Sequence, residues 1–142
     1  QDEYFETQET LTLYKEYITK QLPQEFEITK ADQADFLNKS LSFFKEKEEF
    51  KMEEFTGEVL KDQEVIQSFN AFKTQYEDER DYALSDEFAI NDAAVKKNAR
   101  ILKSVIKLDK NFHIYIHGDR KLIQQGQDEN GKYYMLYFEE EN

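Results

Sequence analysis

Cysteine is absent from the 142 residues, which excludes a disulfide framework, thiolate chemistry and thiolate-ligated zinc or iron–sulfur sites, and fits a reducing, cytoplasmic setting. Proline occurs once and glycine four times. That scarcity leaves no Pro- or Gly/Ser-rich linker to divide the chain, and the four glycines form neither GxGxxG nor a phosphate loop, so no nucleotide cofactor is expected. No apolar run approaches the ~20 residues that span a bilayer, and no charged-then-apolar leader opens the chain, so no membrane partner is expected. No repeat of fixed period is present. The chain opens on Gln1 and is read as a piece of a longer protein.

What the chain does hold is aromatic and charged side chains. Twelve Phe and nine Tyr, 15% aromatic overall, are too many for a disordered segment and call for a core. A single domain, 1–142, is long enough to bury roughly 68% of the surface of its unfolded form. The charge is lopsided: the net value is −12, yet residues 96–121 carry eight cations against Asp109 and Asp119, a net of +6, so the remainder sums to −18. The eight are Lys96, Lys97, Arg100, Lys103, Lys107, Lys110, Arg120 and Lys121. This segregation suggests two faces of opposite sign and divides the chain near Asn91 into an acidic helical part, 1–90, and a basic helix with strands, 91–142.

In the first part, Leu11, Tyr14, Ile18 and Leu22 fall on one stripe of a helix over about 8–21 that Pro23 terminates. Thr29-Lys30-Ala31-Asp32 reads as a capping box opening a long second helix with Ala34, Leu37, Leu41 and Phe44 inward. A shorter helix over 51–60 presents Met52, Phe55 and Val59; Asp62 caps the next, with Val65, Phe69, Phe72 and Tyr76 at helical spacing. The aromatic stripe reads as core packing rather than as a cofactor box. The acidic clusters 46–54 and 77–81 read as solvated faces, since nothing separates their pKa values for catalysis, and the calcium-loop pattern is missing.

After an irregular stretch through Phe88 and Ile90, Asn91 or Asp92 caps a short helix with Ala94 and Val95 inward and Lys96, Lys97 and Arg100 toward solvent. From Ser104 the period becomes two. Ile106 and Leu108 alternate with Val105 and Lys107, then Phe112, Ile114 and Ile116 with His113, Tyr115 and His117, predicting two strands joined near residues 109–111. Asp119 caps a single helical turn in which Leu122 and Ile123 dip inward and Gly126 ends it; a third strand, 132–138, follows the Asn130-Gly131 turn signal. The expected class is α+β, four to five amphipathic helices followed by a three-stranded antiparallel meander. His113 and His117 on a strand lie about 13 Å apart, too far to share a metal, and none is assigned. The serines lack a nucleophile elbow, and no catalytic residue is named.

The stretches AVKKNARILKSVIKLDKNFHIYIHGDRKLIQQGQDENGKYYMLYFEEE, QLPQEFEITKADQADFLNKSLSFFKEKEEF and FTGEVLKDQEVIQSF resemble the C-terminal part of the bacterial nucleoid-associated protein family of the NdpA/YejK type. The resemblance implies an intracellular, nucleoid-located, non-catalytic protein with a further N-terminal region. It transfers no binding residue. Two roles then compete, with an unrecognised enzyme as the third. In one, the eight cations touch DNA backbone; a Debye length of ~8 Å at physiological salt lets acids on a far face weigh little against them. In the other, the segment is an assembly module, pairing with itself through an edge such as 132–138 or with another nucleoid protein, while the N-terminal region contacts DNA.

Overall fold

The computed structural model describes residues 2–100, 102, 105–117 and 119–142. Helix α1, Glu3–Glu16, begins where Asp2 Oδ1 accepts the Phe5 N–H at 2.8 Å, five residues before the expected start. The early turns look solvent-facing in sequence because they bury polar groups. Glu6 accepts the Ser85 N–H at 3.0 Å, and the Thr7 hydroxyl accepts that of Asn91 at 3.0 Å. Nor does Pro23 end the helix. One wide turn, Tyr17–Gln21, in which the Leu22 N–H reaches Tyr17 O, leads into α2, Leu22–Glu25, whose first turn tolerates a residue without an N–H.

The capping box forms as read: Thr29 Oγ1 accepts the Asp32 N–H and Asp32 Oδ2 the Thr29 N–H, each at 3.0 Å, opening α3, Lys30–Glu46. Next come β1, Glu49–Lys51, and α4, Met52–Phe55, extended by a second wide turn, Thr56–Leu60. Asp62 caps α5, Gln63–Arg80, which stops at Asp81 in the left-handed region, φ 56°. The stretch expected to be irregular holds β2, Glu87–Ala89, which pairs antiparallel with β1 so that Phe50 faces Phe88, ring centroids 4.7 Å apart. Three residues on each side carry no readable alternation, and the pairing joins positions 38 apart in sequence. Asn91 then caps α6, Asp92–Asn98.

The class is α+β, but the three-stranded meander is not formed. Two separate hairpins stand in its place: β3, Val105–Leu108, with β4, Phe112–Tyr115; and β5, Ile123–Asp128, with β6, Gly131–Leu136. Ser104, assigned to the first strand by its period, lies outside the described residues. Asp119 does cap a short turn, Arg120–Leu122, but Gly126 sits mid-strand in β5 and Leu122 is 51% exposed. The run IQQGQD has no apolar alternation, so β5 owes its strand to β6 across the way. Gly126 opposes Tyr133, whose ring covers it; a Cβ there would lie 2.3 Å from Tyr133 Cζ. The turn itself is Glu129-Asn130, one residue before the expected Asn-Gly, with Gly131 at φ 125°.

The main core joins α1, α3, α4, α5 and their connections, with Tyr14, Tyr17, Phe44, Phe50, Phe55 and Phe69 fully buried. A second, small cluster, Ala31, Ile106 and Ile123, seats both hairpins on the start of α3, with Leu108, Ile114 and Tyr134 packed on it. No helix of the described residues is long and apolar enough to cross a membrane.

Candidate nucleic-acid interface

Helix α6 is amphipathic over barely two turns. Ala94, Val95 and Asn98 are buried, the last donating its amide to Ala94 O at 2.7 Å, and Lys96, Lys97 and Arg100 are exposed as expected. Lys96 and Arg100 are four apart and share one stripe; Lys97 is rotated about 100° from Lys96 and faces elsewhere. On α3, Asn38, Leu41 and Lys45 make a second stripe at i, i+3 and i+7. These two stripes and the end of β4 enclose a groove of about 380 Å³, lined by Asn38, Leu41 and Lys45, by Lys96, Ala99, Arg100 and Leu102, and by Tyr115, Ile116 and His117. The Asn38 amide donates to Ile116 O at 3.2 Å and ties the strand end to α3.

In a chain of net charge −12, this groove collects three permanent cations and a histidine, and among the described residues no carboxylate lines it. Some cations elsewhere are paired. Lys20, Lys39, Lys47, Lys73 and Arg80 all sit within 4 Å of a Glu or Asp oxygen. Among the described residues, no ion pair involves Lys45, Lys96 or Arg100. Part of their placement has a structural cause, because Lys45 and Lys96 lie in the last turns of α3 and α6, where a cation offsets the helix dipole. Tyr115, 57% exposed, adds an aromatic face to the groove.

The eight cations named from sequence do not form one strip. Lys96 and Arg100 meet in the groove. Lys107 and Lys110 are exposed on the β3–β4 hairpin, Lys107 opposite His113. Lys121 lines an adjoining, wider cavity of about 930 Å³, where Lys39, Lys47 and Lys61 are interspersed with Asp35, Glu46, Glu58 and Asp119. Arg120 is engaged: its Nε donates to Asp32 Oδ1 at 3.1 Å and its Nη1 to Ile123 O, so it holds the turn against the start of α3. Lys103 lies outside the described residues. Sequence reasoning missed Lys45, which is flanked by Glu46, Glu48 and Glu49 and reads as part of an acidic helix exit; nothing local links it to a helix fifty residues on.

A family model described as nucleoid-associated protein YejK matches residues 1–132. No curated protein and no solved structure matches the chain.

Proposed function

Because the chain belongs to the nucleoid-associated protein YejK family, we propose that its groove between α3, α6 and β4 is a contact for DNA backbone, and that its role at the bacterial nucleoid is non-catalytic. One observation carries the reading: Lys45, Lys96 and Arg100, unpaired among the described residues, converge where no acid lines the wall. Phosphates are the anions a nucleoid offers in excess, and Lys and Arg meet them as point charge and fork. Lys97, Lys107, Lys110 and Lys121 are exposed outside the groove and are free to meet further phosphates. Contacts of this kind fix the chain on a duplex without reading bases. The acids of the helical part are largely screened at physiological salt beyond ~8 Å.

The test is retention of the chain on duplex DNA across a salt series. Replacing Lys45, Lys96 and Arg100 together by Gln is expected to weaken retention and to flatten the slope of log K against log salt by up to about 2.7, at about 0.9 per phosphate contact. An unchanged slope in a variant with unaltered thermal unfolding overturns the reading.

A second reading, assembly, is favoured by a different observation. Among the described residues, every exposed large hydrophobic side chain falls between Phe112 and Phe138. Both roles suit a nucleoid-associated protein; of these exposed side chains Tyr115 lines the groove and the others do not.

A further inference from the structure

Among the described residues, the strand β6 is bonded on one side only. Its partner is β5, and the Tyr137 N–H donates to Leu122 O at 2.8 Å, one step beyond the Ile123–Leu136 pair. In an antiparallel ladder the backbone groups of alternate residues point to opposite edges. Gly131, Tyr133, Met135 and Tyr137 therefore turn theirs toward β5, and those of Lys132, Tyr134, Leu136 and Phe138 lie on the open edge. Natural edges carry charge, proline or a bulge as protection. Here only Lys132 does so, and 133–138 contains neither charge nor proline.

Side chains along this edge are apolar and, apart from Tyr134 packed on the Ala31 cluster, largely exposed on both faces. Tyr133, Met135 and Tyr137 are 40%, 43% and 51% exposed on one face; Leu136 and Phe138 are 50% and 68% exposed on the other. At roughly 200 Å² for a side chain of this size, they leave roughly 500 Å² of apolar surface in water, near the top of what a monomer shows. Pairing of the edge backbone sets these side chains beside those of a second strand and removes part of this surface from water. Charge permits two copies to meet here. Residues 91–142 hold nine cations and eight acids, against ten and twenty-three in 1–90, so the near-neutral segment makes the contact.

We propose that a second copy of this chain docks on the open edge of β6, antiparallel about a two-fold axis at Met135, to give a continuous four-stranded sheet. A register centred on a residue, and not between two, lets open-edge groups bond in mutual pairs, and centring it on Met135 engages all four open-edge residues, 132 with 138 and 134 with 136. Tyr134 then bonds the second copy's Leu136, and Tyr133 lies beside the second copy's Tyr137. Lys132 falls next to the second copy's Phe138 and diagonal to its Glu140, which makes the edge complementary in charge at both ends.

The proposal rests on the assembly reading and is tested so that the two can fail separately. The chain has no cysteine, so Met135→Cys introduces its sole thiol. At a non-hydrogen-bonded two-fold position the Cα atoms stand about 4.5 Å apart, within disulfide range, whereas residues 132 of the two copies stand about 20 Å apart. Oxidation is expected to convert Met135→Cys, and not Lys132→Cys, to a covalent dimer. Sedimentation of the unaltered chain should show a concentration-dependent dimer. Leu136→Pro removes an N–H that β5 does not use and should give a monomer, as should the double change Leu136→Lys, Phe138→Lys, which leaves the backbone alone. A monomer at every concentration overturns both the register and the assembly reading. A dimer in which position 135 cross-links no faster than 132 overturns the register alone.

Discussion

Two phenols share one carboxylate oxygen. Tyr82 and Tyr76 donate to Glu9 Oε1 at 2.6 and 3.4 Å, and the Arg80 guanidinium lies 3.5 Å from the centre of the Tyr76 ring. Burial, then the Glu9 carboxylate, pushes both phenol pKa values above the ordinary 10.0; burial alone leads the same displacement at Tyr14 and Tyr17. A folded-state pKa raised above the unfolded one gives stability that is complete below about pH 10 and is lost as pH rises above it toward the folded value. The urea midpoint is therefore expected to hold steady through neutral pH and to fall above about pH 10. Tyr82→Phe removes the shorter of the two bonds to a charged acceptor and should lower stability at pH 7 by about 1–2 kcal/mol, while making the alkaline fall shallower. A variant as stable as the parent at pH 7 would show that Glu9 finds water instead. At this scale the aromatic residues were legible as core, because Phe and Tyr at helical spacing have to be buried somewhere. Glu9 was not legible, since its partners come from the far end of α5 and the loop after it.

At the scale of elements, the parts with local causes were readable. The Thr29–Asp32 capping box, the Asp62 and Asn91 caps and the period-two run of β3 and β4 depend on neighbours within four residues or on alternation along one strand. Thr29→Ala should lower the stability of the whole chain by about 1 kcal/mol in denaturant titration, and Thr29→Ser should restore most of it, because the serine hydroxyl caps equally well. Asp32 has a second task that the local pattern hid: its Oδ2 completes the box and its Oδ1 takes the Arg120 Nε. Elements with remote causes were misread. Strands β1 and β2 exist because Phe50 and Phe88 stack across the core, and β5 because β6 lies alongside it. The helix through Pro23 was misjudged for a related reason. A proline ends an isolated helix, but buried Tyr17 and Ile18 in the wide turn and buried Leu22 just after it hold the chain helical through this region.

For the whole molecule, one variable separates internal charge from external contact. Raising sodium chloride from about 20 to about 200 mM screens the mutual repulsion of the acids and is expected to raise the temperature of thermal unfolding, whereas the same step weakens retention on DNA. If both quantities move in the same direction, the acidic part is not a source of strain, and its exposed ion pairs outweigh it. Composition and periodicity by themselves determined the α+β class, the aromatic core, the division of charge near Asn91 and the absence of thiol chemistry, because each depends on what the residues are or on spacing along the chain. Only the tertiary structure decided which cations stand together. Lys45 and Arg100 meet because α3 and α6 cross; Arg120 is withdrawn because Asp32 lies within its reach; and β6 keeps an open edge because the two hairpins pack side by side on Ala31 instead of joining. Proximity across tens of residues is a property of packing, and no local pattern records it.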